Sequence, residues 1–197
     1  MAIDQTNYYF FEKAFSEEEI DWINNLQNLF NYSEAVTVGN GMNEEVRKSR
    51  IKWIHNNHLS EWLYDKILLM VNEANDNLWN FELNGIDDSI QYTEYAGDGG
   101  HYDWHMDIGP GSINHRKISV VIQLSESDDY KGGELLLWNG GEPKVAPKGI
   151  GNVIIFPSYL PHTVYPWRGT GNRTVLAFDA RLLPKDEVVQ EILNGQS

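Results

Sequence analysis

The sequence contains no cysteine, which excludes disulfide scaffolds, thiolate metal sites and cysteine nucleophiles. Basic residues are scarce: 15 Lys and Arg stand against 29 Asp and Glu, a formal net charge of -14. Phosphate binding needs a field of Lys and Arg, so nucleic acid is a disfavoured partner, although a local basic groove stays open. Long apolar runs are missing as well. The longest, such as residues 67–71, are far too short to cross a bilayer. Residues 1–13 have neither a basic leader nor a continuous apolar stretch, so no signal peptide is expected. These absences lead to the expectation of a cytoplasmic protein with no membrane partner.

What remains is ordinary globular composition. Of 197 residues, 41% are apolar and 22% charged, enough to build one domain with a real core and too apolar for disorder. Seven Trp and ten Tyr supply large amphipathic bodies for a core or a cleft. No repeat, low-complexity linker or convincing boundary divides the chain.

Ser16 followed by Glu17, Glu18 and Glu19 has the form of a helix start, a capping hydroxyl and then acids favoured by the N-terminal dipole. Ile20, Ile23, Leu26, Leu29 and Phe30 recur at helical spacing, which predicts a helix over 17–31. A short strand is expected at 50–54 and a longer helix at 59–79, with Trp62, Leu63, Ile67, Met70, Val71 and Ala74 on one face. Beyond Gly85 the pattern becomes short β-rich runs bounded by Gly, Pro, Asp and Asn: 89–95, 101–108, 117–124, 134–138, 153–156, 162–166 and 173–181. Helices first and strands second give an α+β order, an antiparallel sandwich or barrel with helices over one sheet face. A short terminal helix is expected at 185–193. The polar segments 36–49 and 125–133 are expected to be loops over a site, where substrate choice would be written.

The chemistry concentrates in Tyr95-Ala-Gly-Asp-Gly-Gly-His101-Tyr102-Asp103-Trp104-His105-Met-Asp107. Residues two apart on a strand share a face, so a His and an Asp at that spacing can offer a nitrogen and an oxygen to one ion. A further His completes a set of two imidazoles and one carboxylate that leaves the opposite metal positions open. Strand parity leaves two pairs, His101/Asp103 and His105/Asp107. The second runs straight into Ile108-Gly-Pro-Gly, a strand end opening into a loop, and is favoured on that ground. On the same parity Tyr102 and Trp104 point the other way, with Trp104 expected in the core. Downstream, an apolar strand at 153–156 enters a Pro-bounded turn and His162 opens the next strand. A turn at 169–172 is expected to return the chain at Arg173, on a strand adjacent to His162. Arginine there can grip a dicarboxylate through two parallel bonds. Each residue alone has an ordinary structural reading, as a satisfied polar group, a surface ion-pair partner or a packed tyrosine.

The ordered set Tyr95, Tyr102, His105-x-Asp107, His162 and Arg173 resembles the prolyl 4-hydroxylase-like branch of the Fe(II)/2-oxoglutarate dioxygenases over residues 89–181. The resemblance implies a double-stranded β-helix, or jelly roll, braced by N-terminal helices on its major sheet. The corresponding division is one domain over 1–197, with a helical support region at 1–85, the jelly-roll core at 86–183 and a tail at 184–197. It implies that His105, Asp107 and His162 bind Fe(II), and that Arg173 and Tyr95 hold the distal carboxylate of 2-oxoglutarate. Tyr102 would face substrate. O2 would be the co-reactant, with release of succinate and CO2, and ascorbate is an optional cofactor in this group. Lys131-Gly-Gly-Glu-Leu135 looks like the branch's Gly-Gly-Glu turn and is expected to form a hairpin. Two positions depart from the pattern: Asp179 stands where an aromatic residue is common, and Val175 where a small hydroxyl residue is common. Both bear on a prolyl substrate. The implied function is hydroxylation of a C–H bond, with peptidyl-proline as the leading substrate. An amino-acid-like small molecule, or a non-catalytic metal-binding jelly roll, is the alternative.

Overall fold

Ser16 opens the first helix because its hydroxyl accepts from the Glu19 N–H while the Glu19 carboxylate accepts from the Ser16 N–H, a reciprocal cap. In this computed structural model, which describes residues 8–34, 43–83, 85–86 and 89–181, strand β1 (Tyr9–Phe11) precedes helix α1 (Glu17–Leu26). The helix is shorter than its periodicity suggests: residues Gln27–Leu29 tighten into a 3-10 turn and Leu29 is exposed. Short strands β2 (Ser33–Glu34) and β3 (Arg47–Lys48) and the longer β4 (Arg50–His55) follow, then helix α2 (Glu61–Leu78). Ser60 Oγ donates to the His55 carbonyl just before α2, and Leu63, Ile67, Met70, Val71 and Ala74 are buried along one stripe.

Beyond α2 the described elements are strands, apart from 3-10 turns at Gly111–Ile113 and Ser127–Asp129. The chain runs β5 (Gly85–Ile86), β6 (Ser89–Asp98), β7 (His101–His105), β8 (Arg116–Gln123), β9 (Tyr130–Gly132) and β10 (Leu135–Leu137). It continues with β11 (Lys144–Val145), β12 (Val153–Pro157), β13 (His162–Val164) and β14 (Trp167–Arg181). The major sheet has the order β1-β12-β8-β14-β6-β4-β2, with β5 and β9 also paired to β14. The minor sheet is β11-β10-β13-β7-β3. Six of the eight connections from β6 to β14 cross between the sheets, which is the winding of a double-stranded β-helix. The expected jelly roll is thus present, but the first half of the chain is not purely helical, since β1 to β4 join both sheets.

Alternation along the major-sheet strands builds two cores. Ile54, Ile90, Tyr92, Ile122, Val153, Ile155 and Leu176 face the helices and pack against Ile20, Ile23, Leu63, Ile67 and Val71. Tyr95, Ile154, Phe156 and Val175 face the minor sheet and pack on Leu135, Val164 and Trp167. With both faces covered, β12 is buried at all five positions, which explains its uninterrupted apolar run.

Two expectations on the strands change. The segment expected as a hairpin at 131–135 is a crossover: β9 pairs β14 in the major sheet while β10 pairs β13 in the minor one. Gly132 and Gly133, at φ of 86° and 65°, turn the chain between them, a backbone region that residues with a Cβ avoid. Nor does a turn precede Arg173. β14 runs unbroken through 169–172 with a register shift, so Arg173 lies on the major sheet facing His162 on the minor sheet rather than beside it. The terminal helix expected at 185–193 and residues 36–42 of the loop expected at 36–49 lie outside the described residues; residues 47–48 of that loop form β3. Among the described residues no helix is long and apolar enough to cross a membrane.

Candidate active site

β7 ends at His105 and β13 begins at His162, and antiparallel pairing sets these two residues directly opposite each other. Asp107 follows β7 and is anchored where its N–H donates to the Ser158 carbonyl (3.0 Å). Its two oxygens then divide between the imidazoles. His105 Nε2 lies 3.5 Å from Oδ1 and His162 Nε2 lies 3.4 Å from Oδ2. The three donor atoms fall within 4.8 Å of one another, close enough to share one ion.

Both imidazoles are held the same way. His105 Nδ1 donates to the Asp103 carbonyl (2.7 Å) and His162 Nδ1 to the Leu160 carbonyl (2.9 Å). Spending the proton on Nδ1 leaves the Nε2 lone pair aimed at the common point, as a metal ligand requires. Burial lowers the His162 pKa, a bias only partly offset by Asp107, so this ring is neutral at physiological pH. Burial alone would raise the Asp107 carboxyl. The neighbouring His162 and His105, with a hydrogen bond from Ser119, outweigh it and hold the group well below the usual carboxylate range. A neutral imidazole and an ionised carboxylate are the forms that bind a divalent cation.

Ser119, on β8 of the opposite sheet, orients the carboxylate through a 2.7 Å bond from its Oγ to Asp107 Oδ2. Ser119→Ala is expected to lower Mn(II) affinity by about 10–100-fold, the usual cost of losing a hydrogen-bonding support to a ligand. Calorimetric titration checks it, and an unchanged affinity would mean the carboxylate is oriented without Ser119.

The choice between the two His-x-Asp pairs is decided by a β-bulge. β13 advances two residues from His162 to Val164 while β7 advances three, from His105 to Tyr102. The extra residue breaks the two-residue alternation. Tyr102 therefore shares the inner side with His105, its ring stacked on the imidazole at 3.5 Å. His101 instead turns to the Gly99 and Glu45 carbonyls, and Asp103 is exposed and accepts from the Trp104 N–H. Trp104, expected in the core, is 40% exposed.

A cavity of about 820 Å³ lies between the sheets and joins the His105, Asp107 and His162 cluster to Arg173, Tyr95 and Tyr102. Arg173 is 1% exposed and pairs in register with Tyr95, with its guanidinium 5.4 Å from the Tyr95 ring. Nη2 donates to Gln123 Oε1 (3.0 Å), which fixes the plane of the fork. Trp167 Nε1 donates to the Tyr95 carbonyl and closes the floor behind it. Burial pushes the Tyr95 phenol up, so it stays a hydrogen-bond donor at neutral pH. Val175, two residues beyond Arg173, also lines the cavity, whereas the Asp179 side chain lies outside the description.

Gly133 makes room for the Arg173 side chain. A Cβ added there would come within 2.8 Å of Arg173 Cδ and 3.3 Å of Trp167 Cβ. Gly133→Ala combines that collision with a left-handed φ that costs about 1–2 kcal/mol. The expected result is a melting temperature several degrees lower and an Arg173 fork displaced from its present plane. An unchanged melting curve would show that the crossover yields without cost.

One cavity residue had no signal in the sequence. Arg47, 9% exposed, sits within the segment expected to be a loop and reaches the site because β3 pairs with β7, Arg47 opposite Tyr102. Nothing in its sequence neighbourhood encodes that pairing.

A jelly roll in which two imidazoles and one carboxylate converge, with a buried arginine lining the same cavity, is an arrangement able to hold one metal ion and a dicarboxylate. Comparison with known proteins agrees. Residues 90–178 match the 2OG-Fe(II) oxygenase superfamily. A PKHD-type hydroxylase of Stenotrophomonas maltophilia (strain R551-3) is 31% identical over 109 residues, 52% of this chain and 47% of the relative. Another from Prochlorococcus marinus (strain AS9601) is 29% identical over 163 residues, 79% of this chain and 70% of the relative. Several matches are shorter, such as one from Synechococcus sp. (strain CC9605) that spans 31% of the relative's length, so the chain covers about a third to a half of the first of these proteins. Among solved structures, a prolyl hydroxylase from Trichoplax adhaerens, in complex with a hypoxia inducible factor peptide fragment, superposes with a TM-score of 0.74. It is 19% identical and covers 89% of this chain and 84% of that one. A Pseudomonas putida prolyl-4-hydroxylase gives 0.65 at 18% identity, covering 90% and 94%. Over residues 90–178 the chain is similar to the 2OG-Fe(II) oxygenase superfamily, and its fold is that of the prolyl hydroxylases. Fe(II) and 2-oxoglutarate are the metal and co-substrate of that superfamily.

Proposed function

We propose that this chain, read as a single domain over residues 1–197, hydroxylates a C–H bond of an organic substrate. In this reading His105, Asp107 and His162 hold Fe(II), and Arg173 with Tyr95 holds the distal carboxylate of 2-oxoglutarate. The observation that carries it is the shared cavity: three convergent ligand atoms and a buried guanidinium open onto the same space. A metal-binding protein without redox chemistry has no use for the second group.

Each residue then has a defined task. The Nδ1 bonds of His105 and His162 fix both rings before the metal arrives, which removes their reorganisation from binding. Asp107 supplies the anionic ligand and Ser119 holds its rotamer. His105, Asp107 and His162 would hold Fe(II) by three ligands, and the metal would offer its remaining positions to the co-substrate and O2. Arg173 sets the co-substrate's depth through two parallel bonds, and the Gln123 contact keeps the fork planar to the carboxylate. When bound, Fe(II), 2-oxoglutarate and O2 supply the oxidation, giving succinate and CO2 and placing one oxygen atom on the substrate carbon. Tyr102, stacked on His105, forms the wall a substrate meets beside the metal. Peptidyl-proline is the leading substrate, on the strength of the prolyl hydroxylase fold and the size of the cavity.

Anaerobic titration of 2-oxoglutarate into the Mn(II)-loaded protein tests the site, and a proline-containing peptide panel with Fe(II) and O2 tests the reaction. Saturable binding that needs the metal is expected, followed by succinate in equal amount to a product 16 Da heavier. Metal binding with no 2-oxoglutarate binding would reduce the protein to a metal-binding jelly roll. Product from a free amino acid and from no peptide would move the substrate to a small molecule.

A further inference from the structure

Among the described residues Arg47 is a buried charge with no anionic partner. Its side chain is 9% exposed and borders the cavity. Nε donates to Ser49 Oγ (2.9 Å), Nη2 donates to Gln91 Oε1 (2.7 Å), and the guanidinium lies 4.5 Å from the Tyr102 ring centroid. All three contacts are electrically neutral. Among the described residues no carboxylate lies within 4 Å of Arg47, and Nη1 makes no hydrogen bond. In a chain with 29 acidic residues against 15 basic ones, a nearby acid would have been easy to supply.

Charge balance within the cavity sharpens the point. Fe(II) and Arg173 together bring three positive charges. Asp107 and the two carboxylates of 2-oxoglutarate balance them, and Asp107 is the only carboxylate among the described lining residues. Arg47 is surplus to that balance, as is Arg116 of the same lining, whose Nη1 donates to the Asp107 carbonyl (3.4 Å). A desolvated guanidinium without a counter-ion is costly, and the cost is recovered when an anion enters.

The position says which anion. Arg47 packs on one face of the Tyr102 ring system while Tyr102 itself stacks on the ligand His105, so the guanidinium is one ring away from the metal. Arg173 occupies the end of the cavity that the co-substrate fills. Ser49 and Gln91 hold the Arg47 fork in one plane, and Thr93 Oγ1 donates to the same Gln91 oxygen, which locks that amide. A fixed planar fork matches a carboxylate in two-point contact.

We propose that Arg47 is a specificity-determining residue that binds a carboxylate of the substrate itself, close to the carbon that is oxidised. This rests on the proposed oxygenase reading and narrows its substrate to an acidic one. The carboxylate comes either from an acidic residue beside the target in a peptide or from an amino-acid-like small molecule.

The test uses full-length protein loaded with Mn(II) and 2-oxoglutarate under anaerobic conditions, and two matched probe pairs. N-acetylproline is compared with N-acetylprolinamide, and the peptide acetyl-Gly-Pro-Glu-amide with acetyl-Gly-Pro-Gln-amide. In at least one pair the carboxylate form is expected to bind about tenfold more tightly or better, the worth of one charge-assisted contact. A preference in the first pair identifies a small-molecule carboxylate, and in the second an acidic peptide. Arg47→Gln is expected to shrink that preference to less than about twofold, while 2-oxoglutarate still binds, which also shows that the variant is folded. Equal binding within both pairs, no binding of any probe, or a preference that survives in Arg47→Gln overturns the proposal. So does a loss of 2-oxoglutarate affinity in Arg47→Gln comparable to that of an Arg173 variant, because Arg47 would then serve the co-substrate. Failure of 2-oxoglutarate to bind the wild-type protein would instead remove the oxygenase reading on which the proposal stands.

Discussion

Asp107→Ala is expected to abolish metal-dependent succinate formation and to weaken Mn(II) binding by more than about 100-fold. Loss of a group that only supports a ligand costs about 10–100-fold, and loss of the ligand exceeds it. Asp107 is the one anionic donor of the three, and its oxygens lie 3.5 and 3.4 Å from the two imidazole nitrogens. Removing it leaves two neutral nitrogens, insufficient to hold a hard divalent cation against water. The fold should survive, because Asp107 follows the last residue of β7 and its backbone bond to Ser158 persists in the variant. Calorimetric titration with Mn(II), alongside a melting curve, checks both halves. Retained tight binding would move the metal elsewhere in the chain.

Arg173→Ala has the second-largest expected effect, and it falls on a different ligand. Two charge-assisted bonds to one carboxylate are worth about 2–3 kcal/mol net, roughly 30–150-fold in 2-oxoglutarate affinity. Mn(II) affinity should change by less than about threefold, since Arg173 sits on the facing sheet, where its Nη2 donates to Gln123. That separation is the diagnostic feature: Asp107→Ala loses metal, Arg173→Ala loses co-substrate. Because Arg173 is almost fully buried, the truncation also opens a void and lowers stability. Arg173→Lys keeps the charge without the fork and should fall between the two. If Arg173→Ala binds 2-oxoglutarate as well as the wild type, Arg47 becomes the first candidate for the true clamp.

These two expectations show how differently the parts of the site were written in the sequence. The convergent cluster proposed to bind metal was legible because a His-x-Asp at a strand end, followed by a distant His, is a local pattern with a chemical reason behind it. The helices were legible too. The Ser16 cap and the apolar stripe of α2 act within a few residues, where spacing translates directly into shape. Strand existence was equally local, whereas the length of β14 was not. The glycines at 169 and 171 resemble a turn, yet β9 and β6 pair on either side of that stretch and hold it extended. Pairing by distant strands overrode the local signal.

The opposite limit is Arg47. Its role depends on β3 lying against β7, two segments separated by some fifty residues, and no short-range feature anticipates it. The side to which Tyr102 turns is of the same kind. Alternation places it away from the His105, Asp107 and His162 cluster, and a single extra residue in β7, visible only against its partner strand, places it on His105.

By itself, then, the sequence determined the absence of thiolate chemistry, the capped helices, the run of short strands and the identity of the convergent His, Asp and His. Each follows from residue type and spacing within one element. Only the tertiary structure decided that Arg173 faces His162 across two sheets, that 131–135 is a crossover, and that Arg47 enters the cavity without a counter-ion among the described residues. Those are properties of strand pairing, in which a register shift of one residue changes the face a side chain occupies, and no single strand carries the information for it.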